Sequence, residues 1–205
     1  MTFRVVVLVS GTGTLLQSLI DNLPEQVDIV AVGSDQPSAT ALQRAQSAGI
    51  DTFVEPLPRS DAKTTVRAAW DARLADDVAR YDPDLVVCAG FMKLLGQSFL
   101  DRFGGCTINS HPALLPSFPG IHGPRDALEY GVKITGATVF MVDAGVDTGR
   151  ILAQRAVPVL TDDTVESLHE RIKAEEREML VEVVTELAGT RPAWKGIESS
   201  RKDPQ

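Results

Sequence analysis

The chain has 205 residues, of which 43% are hydrophobic and 23% charged, as is typical of a globular protein with one domain or at most two small ones. A formal net charge of −8 argues against a surface that neutralises nucleic-acid phosphates, although a few local donors can still bind a small anion. No apolar run reaches the ~20 residues of a membrane span and the first run lacks the flanks of a signal peptide, so we expect a cytoplasmic protein with neither membrane nor nucleic acid as a partner.

The first half of the sequence alternates short apolar runs with longer helical patterns. The continuous apolar runs, typical of strands covered on both faces, are 5–9, 29–33 and 85–88. The helical patterns cover 15–23, 40–48 and 64–79. This alternation predicts an α/β, Rossmann-like fold with an open, mostly parallel sheet and helices on both faces.

The second half adds strands and one long helix. Three runs have strand character, namely 107–110, 136–142 and 151–157, and a proline-rich connection joins the first two. A helix is predicted over 164–187, with Asp163 or Thr164 as its N-cap. We expect a single domain over residues 1–188 and a polar, partly disordered tail over 189–205.

Neither cysteine has the sequence neighbours of a disulfide framework or a metal site. Cys88 lies in an apolar run, Cys106 follows two glycines, and the sequence contains no CxxC pair. We expect both thiols to be plain packing groups, as buried free cysteines usually are, and we predict no bound metal.

A glycine-containing loop, Ser10-Gly11-Thr12-Gly13-Thr14, connects the first strand to the first helix. Backbone amides at a helix N-terminus bind anions, so a phosphate monoester site is the favoured interpretation, with a tight structural turn as the alternative. A dinucleotide fingerprint would need a third glycine where the chain has Leu16, although Asp35 stands where a ribose-binding acid would. A Walker-type loop would need a lysine, which this loop lacks.

Asn109 and His111 lie two residues apart in an extended segment that Pro112 ends, so their side chains share one face. Open α/β sheets bind ligands at the carboxyl ends of their strands, where these two side chains would converge. Either Asp143 or Asp147, in a later glycine-rich loop, could reach His111, hold its tautomer and favour its imidazolium form. The alternative for that loop is a turn in which aspartate is only a turn former.

Glu176 falls in line with the apolar stripe of the last helix, four residues after Ile172 and four before Leu180. An unpaired charge buried at such a position is costly. The spacing leaves two interpretations open: a carboxylate that reaches water from the edge of the stripe, or a functional carboxylate inside the protein.

Several motifs give the chain a resemblance, over nearly its whole length, to the glycinamide ribonucleotide formyltransferases, a family of folate-dependent enzymes of purine biosynthesis. The motifs are SGTGT at 10–14, AGFMKLL at 89–95, NSHPALLP at 109–116, PG at 119–120, VDTG at 146–149 with IL at 151–152, and VPV at 157–159. The resemblance implies the formyltransferase fold. It also implies transfer of a formyl group from 10-formyltetrahydrofolate to the amine of a phosphoribosyl glycinamide.

The resemblance further implies roles for individual residues. Asn109 matches an amide that stabilises the oxyanion, His111 matches the general acid, and Asp147 matches the aspartate that pairs with this histidine and favours its protonated form. The predicted binding residues for the phosphoribosyl glycinamide are Gly13, Thr14, Leu15, Lys173 and Glu176. The predicted binding residues for 10-formyltetrahydrofolate are Arg67, Met92, Lys93, Leu94, Leu95, Asn109, Asp143, Ala144, Gly145, Val146 and Asp147.

The chain departs from the family pattern at a few positions. Leu15 stands where a well-known version of the family has asparagine, so one side-chain donor to the phosphate is missing and backbone amides would have to suffice. Ala113 replaces a common serine, Lys93 replaces arginine, and Phe140 and Pro124 replace histidines seen in some relatives. None of these changes touches the predicted catalytic trio.

Related activities remain as alternatives. Methionyl-tRNA formyltransferases share the asparagine–histidine block but need a tRNA surface and normally have a further C-terminal domain. Formyltetrahydrofolate hydrolases usually have an additional N-terminal domain, for which we expect no room because the first strand is predicted to begin by residue 3 or 4. A noncatalytic nucleotide-binding module would need the glycine loop but not the trio. The sequence leaves a monomer and a homodimer equally open.

Overall fold

A computed structural model describes residues 2–58 and 64–190, and in this part of the chain it contains one seven-stranded sheet. The strands are β1 (Phe3–Val9), β2 (Val27–Ser34), β3 (Asp51–Val54), β4 (Leu85–Cys88), β5 (Thr107–His111), β6 (Ile134–Met141) and β7 (Ile151–Pro158). Their order across the sheet is β3-β2-β1-β4-β5-β6-β7. The strands β1 to β5 are parallel, whereas β6 is antiparallel to β5 and β7 is antiparallel to β6. The predicted open, mostly parallel sheet is confirmed.

Helices cover both faces of the sheet, as predicted. They are α1 (Thr14–Asn22), α2 (Thr40–Ser47), α3 (Thr64–Ala79), α4 (Gln97–Phe103), α5 (Gly123–Tyr130) and α6 (Val165–Gly189), with a short 3-10 turn at Gly104–Cys106. One hydrophobic core lies between the sheet and α1, α2 and α6, and a second core lies between the sheet and α3 and α4.

Strand β1 shows why its sequence is continuously apolar. Val5 and Val7 belong to the core under α1 and α6, whereas Val6 and Leu8 belong to the core under α3 and α4. All four side chains are fully buried, because a central parallel strand has no face left for water.

Three elements of the structure are absent from the sequence prediction. Strand β3 has four residues at the edge of the sheet, and α4 has seven, so neither is long enough to give a clear periodicity. Helix α5 begins at Gly123 and Pro124, in the segment predicted to be a proline-rich connection. Proline is tolerated in the first turn of a helix because an N–H there has no helical partner, so this proline starts a helix.

The long C-terminal helix has the predicted cap. The hydroxyl of Thr164, and not the side chain of Asp163, accepts a hydrogen bond from Ser167 N at 3.2 Å, and Thr164 N donates to the Ser167 hydroxyl at 3.0 Å. Residues 191–205 of the predicted tail lie outside the described part of the chain, and the single domain over 1–188 stays a prediction. No helix within the described residues is long and apolar enough to cross a bilayer.

Candidate active site

Strand β5, inside the sheet, carries both the asparagine and the histidine that the sequence singles out. Asn109 lies opposite Cys88 of β4 and Phe140 of β6, and His111 is the last residue of the strand. Because side chains alternate along a strand, Asn109 and His111 project from one face of the sheet and Ser110 projects from the other. The strand thus presents different chemistry to the two sides of the sheet.

A pocket opens beside Asn109. Its walls are formed by Cys88, Phe91, Lys93, Leu94, Leu95, Asn109, Phe140, Val142, Asp143, Ala144, Gly145 and Asp147. Among the residues predicted to bind formyl folate, Arg67, Met92 and Val146 are not part of these walls. Four further residues of these walls are not among the predicted site residues, since apolar residues in or beside a strand look like ordinary core residues; they are Cys88, Phe91, Phe140 and Val142.

His111 is buried between two acceptors. Its Nε2 lies 2.8 Å from the carbonyl oxygen of Phe118, and its Nδ1 lies 3.5 Å from Oδ2 of Asp147. A carbonyl oxygen can only accept, so Nε2 carries a proton and donates it. In the neutral ring Nδ1 would then turn a lone pair toward a carboxylate. In the imidazolium form, Nδ1 would instead present an N–H to this carboxylate.

The two candidate aspartates, Asp143 and Asp147, have different partners in the loop after β6. Oδ1 of Asp143 accepts from Gly145 N at 3.0 Å and from the Thr148 hydroxyl at 2.6 Å, so this carboxylate is a turn former. Asp147 has a left-handed backbone (φ 54°) and directs its carboxylate to His111. The structure therefore places Asp147, and not Asp143, beside the imidazole.

Close packing fixes the course of this loop. A Cβ at Gly149 would lie 1.6 Å from the Met141 carbonyl oxygen, and one at Gly145 would lie 2.0 Å from the Thr148 hydroxyl. Oδ2 of Asp147 also accepts a hydrogen bond from Gly120 N at 2.7 Å. The loop is thus held on one side by β6 and on the other by the segment that follows His111.

The apolar turn after His111 is fastened to β6 by one buried hydroxyl. The Thr138 Oγ1 donates to the Ala113 carbonyl at 2.7 Å and accepts from Leu115 N at 3.0 Å. Gln154 Nε2 donates to the same hydroxyl at 3.0 Å and to the Leu115 carbonyl at 2.8 Å. A hydrogen-bonded network of β6 and β7 side chains therefore holds the turn that follows His111.

The segment 91–95, which forms one wall of the pocket, is tied to the glycine loop. Met92 N donates to the Ser10 hydroxyl at 2.8 Å, and that hydroxyl donates to Oδ1 of Asp35 at 2.5 Å. Lys93 Nζ lies 3.8 Å from the other oxygen of Asp35. Asp35 is 2% exposed, so the acid that resembled a ribose-binding group instead holds the two loops together.

Helix α3 holds the far end of the same segment. The Arg67 guanidinium donates to the Leu94 carbonyl, which explains why Arg67 lies near the pocket without lining it. One turn later, the buried Asp71 carboxylate accepts from Gly96 N and from Phe99 N, both at 2.7 Å. Two side chains of α3 therefore fix the wall of the pocket and the start of α4.

The glycine loop leads into α1 as the sequence predicts. Gly13 is the N-cap of α1 with φ 75°, and a Cβ on it would lie 2.6 Å from the Ala41 Cβ, so neither its conformation nor its surroundings admit a side chain. Thr14 and Leu15 form the first turn, where N–H groups have no partner within the helix. The Leu15 side chain is buried in the core, so only its backbone N–H is available to a ligand.

Helix α6 brings the other predicted substrate residues to the same face of the sheet. It packs against α1, and Lys173 and Glu176 lie about one turn apart on it. The Lys173 Nζ pairs with Oε1 of Glu170 at 2.8 Å on the protein surface. The phosphate-binding and ribonucleotide-binding candidates thus occupy neighbouring helices.

Glu176 is a buried carboxylate, 4% exposed, and its Oε1 accepts a hydrogen bond from the Ser110 hydroxyl at 2.5 Å. Burial raises the pKa of Glu176 from 4.5 to about 7, against the opposing effects of Ser110, Lys173 and Arg177. The interpretation of Glu176 as a carboxylate that reaches water is therefore wrong. Ser110 was not among the predicted site residues, because only its alternation with its neighbours marks it in the sequence.

Cys88 is the one cysteine in the wall of the pocket, among the described residues. It is buried, and burial raises the pKa of its thiol to about 12, so the thiol stays protonated and unreactive. Within the described ranges, no group of three or more His, Cys, Asp or Glu side chains could hold a metal ion.

The chain is similar to proteins of a known family. Residues 3–184 match the family model described as formyl transferase. The chain is 54% identical over 189 residues to a phosphoribosylglycinamide formyltransferase of Mycobacterium tuberculosis, over 90% of this chain and 85% of that protein. It is 33% identical over 190 residues to a protein of the same name from Bacillus subtilis, over 91% of this chain and 95% of that protein. The crystal structure of glycinamide ribonucleotide transformylase 1 from Symbiobacterium toebii superposes with a TM-score of 0.85 at 42% identity, covering 92% of this chain and 89% of that one.

Proposed function

Because the chain belongs to the formyl transferase family, and within it to the phosphoribosylglycinamide formyltransferases, we propose that it transfers the formyl group of 10-formyltetrahydrofolate to the amine of phosphoribosyl glycinamide. The products are the formylglycinamide ribonucleotide and tetrahydrofolate, in purine biosynthesis. The observation that carries the proposal is the placement of His111 between Asp147 and the Phe118 carbonyl, beside a pocket that Asn109 lines.

Asn109 stabilises the charge that develops during attack. When the amine adds to the formyl carbon, the formyl oxygen gains negative charge, and the side chain of Asn109, which lines the pocket, can supply an amide N–H₂ donor to it. A hydrogen bond to this oxygen stabilises the developing charge and so lowers the barrier.

His111 supplies the proton that the folate nitrogen needs as its bond to the formyl carbon breaks, and the attacking amine loses one proton, which restores the imidazolium. Asp147 stabilises the imidazolium from the Nδ1 side, which leaves Nε2–H as the acid. That N–H donates to the Phe118 carbonyl at 2.8 Å, so delivery of the proton requires this hydrogen bond to be exchanged for one to the folate. The carbonyl thus keeps the ring oriented until the substrate takes its place.

The walls of the pocket combine apolar side chains with polar groups, as in sites that bind heteroaromatic ligands. Phe91, Leu95 and Val142 give it apolar walls, while Asn109, Asp143 and Asp147 add polar side chains to the lining. We assign the pterin of the formyl donor to this pocket, whose walls come largely from the segments 91–95 and 143–147.

The ribonucleotide is assigned to the opposite side of β5. Backbone amides of Gly13, Thr14 and Leu15 at the start of α1 hold its phosphate, with Lys173 on the neighbouring helix as a counter-charge. Glu176 binds the glycinamide ribonucleotide further along α6. Leucine in place of asparagine at position 15 removes only a side-chain donor, because the backbone N–H groups remain.

The test is release of tetrahydrofolate from 10-formyltetrahydrofolate with and without phosphoribosyl glycinamide. Release that depends on the amine supports the transferase. Release without the amine indicates a formyltetrahydrofolate hydrolase. Release that depends on methionyl-tRNA indicates a methionyl-tRNA formyltransferase, and no release indicates a noncatalytic binding module.

Two variants test the assigned roles. His111→Ala should keep the fold and the affinity for the ribonucleotide while turnover falls by orders of magnitude, and unchanged turnover would remove His111 from the mechanism. Glu176→Gln should weaken ribonucleotide binding measured by calorimetry. An unaltered affinity in that variant would return Glu176 to a structural role.

A further inference from the structure

The buried hydrogen bond between Ser110 and Glu176 joins the catalytic strand to α6. Ser110 lies between Asn109 and His111 in β5, but its side chain projects to the opposite face of the sheet. Its hydroxyl is 2.5 Å from Oε1 of Glu176, and both residues are buried. Nothing in the proposed mechanism assigns Ser110 a role.

We propose that Ser110 is a positioning residue that holds the Glu176 carboxylate, in its ionised form, in the orientation that binds the ribonucleotide substrate. The inference rests on the proposed function, because it takes Glu176 as part of the ribonucleotide site. Ser110 itself touches Glu176 and not the reacting atoms.

The geometry separates the two carboxylate oxygens of Glu176. Oε1 accepts from Ser110, whereas no further hydrogen bond to Glu176 occurs within the described residues. The hydroxyl therefore fixes one oxygen, and the other has no side-chain hydrogen-bond partner within the described residues.

Ser110 also acts on the charge of the carboxylate. Burial favours the neutral form of Glu176. The Ser110 hydroxyl from β5 favours the carboxylate, as do two charged side chains of the same helix, Lys173 and Arg177. Of the groups that favour the carboxylate, Ser110 has the largest effect. Without this hydroxyl, the pKa of Glu176 rises further and more of the protein carries a neutral acid at pH 7.

The placement of Ser110 gives it a second consequence. Three consecutive residues of β5 serve both sides of the sheet. Asn109 and His111 face the proposed folate side, and Ser110 between them contacts Glu176 on the proposed ribonucleotide side. The two half-sites are therefore joined through consecutive residues of one strand.

The experiment compares Ser110→Ala with wild type. At pH 7 the variant should raise KM for phosphoribosyl glycinamide about 10-fold, the loss expected for one hydrogen bond to a charged group, with little change in kcat or in KM for the formyl folate. Calorimetry of ribonucleotide binding without the folate should show the same loss. A purely structural role would instead change both KM values or neither.

The pH profile supplies the readout that a packing defect cannot imitate. The ratio of variant to wild-type kcat/KM cancels ionisation of the substrates themselves. It should recover in part as the pH rises above the pKa of Glu176, because the loss of charge is then reversed and only the loss of orientation remains. Ser110→Thr keeps the hydroxyl and should restore most of the affinity if its extra methyl group is accommodated, which the unfolding midpoint reports.

The outcomes are distinct. If wild type does not formylate phosphoribosyl glycinamide, the proposed function fails. If wild type does so but Ser110→Ala leaves ribonucleotide affinity unchanged, or lowers it equally at all pH values, the positioning role of Ser110 is wrong while the proposed function stands.

Discussion

Nδ1 of His111 lies 3.5 Å from Oδ2 of Asp147, and the same oxygen accepts a hydrogen bond from Gly120 N at 2.7 Å. The carboxylate is therefore held by a backbone amide while it faces the imidazole. Asp147→Asn keeps an oxygen for Gly120 N and tolerates the left-handed backbone, but it removes the charge that stabilises the imidazolium. We expect kcat to fall roughly 10²-fold with little change in either KM or in thermal stability.

Asp143→Asn is the matched control for Asp147→Asn. Asp143 lies in the same loop, and its Oδ1 accepts from Gly145 N and from the Thr148 hydroxyl, which an asparagine oxygen can also do. We expect this variant to keep kcat within a few-fold of wild type in the same steady-state assay. A larger loss of kcat in Asp143→Asn than in Asp147→Asn would show that Asp147 is not the aspartate on which His111 depends.

The pKa of Glu176 makes stability depend on pH. Burial raises the pKa from 4.5 to about 7, so between these pH values the folded protein binds more protons than the unfolded chain. Stability from this group is therefore complete below about pH 4.5 and is lost as the pH rises through 7, by about 3 kcal/mol in all. Glu176→Gln is neutral at every pH and should lose this dependence.

Urea unfolding of both proteins at pH 5 and pH 8 measures this effect. The free energy of unfolding of Glu176→Gln, relative to wild type, should be higher at pH 8 than at pH 5, because other titrating groups act equally in the two proteins. The same variant is expected to bind the ribonucleotide more weakly, so gained stability would accompany lost function. An identical difference at both pH values would mean that Glu176 does not titrate in this range.

Asp71 is expected to stabilise the pocket wall from a distance. Its carboxylate accepts from Gly96 N and from Phe99 N, so Asp71→Ala leaves two amides at the start of α4 without their partner. We expect a loss of roughly 3 kcal/mol in the free energy of unfolding. KM for the formyl folate should also rise several-fold, because the segment 91–95 ends at this anchor.

Asp76→Ala on the same helix is the control for Asp71→Ala. Asp76 pairs with Arg102 at 2.7 Å, but the side chains are 68% and 41% exposed, so the pair contributes less than about 1 kcal/mol. Comparable losses of stability in the two variants would show that removal of any acidic residue from α3, and not the capping of α4, is responsible.

Periodicity predicts most of the fold because the sheet is covered on both faces. The continuous apolar run of β1 and the four-residue spacing in α3 identify buried strands and helices without further information. β3 and α5 escape for opposite reasons. β3 has too few residues for a period, and α5 begins with a glycine and a proline that ordinarily mark a connection.

Within the candidate site, local sequence identifies residue types better than partners. The two-residue spacing of Asn109 and His111 fixes their common face, but the choice between Asp143 and Asp147 depends on which carboxylate the loop satisfies internally. The contact between Ser110 and Glu176 joins residues 66 positions apart, and no local pattern specifies which buried hydroxyl meets which carboxylate.

The turn behind His111 offers a comparison between two threonines of β6. Thr138 and Thr135 are both buried on this strand, but Oγ1 of Thr138 bonds to Ala113 and Leu115, whereas Oγ1 of Thr135 has no hydrogen-bond partner among the described residues. Thr138→Val should cost about 2 kcal/mol of unfolding free energy, because Leu115 N loses its acceptor. It should also lower kcat several-fold by loosening the turn that follows the general acid.

Thr135→Val makes the same nearly isosteric change where no hydrogen bond is lost. Removing a buried hydroxyl without a partner relieves its desolvation, so we expect stability to be unchanged or to rise by about 1 kcal/mol, with kcat unaffected. Urea unfolding and steady-state kinetics of the two variants side by side measure both effects. If the two substitutions cost the same stability, the packing of β6, and not the hydrogen bonds of Thr138, fixes the turn that holds His111 in place.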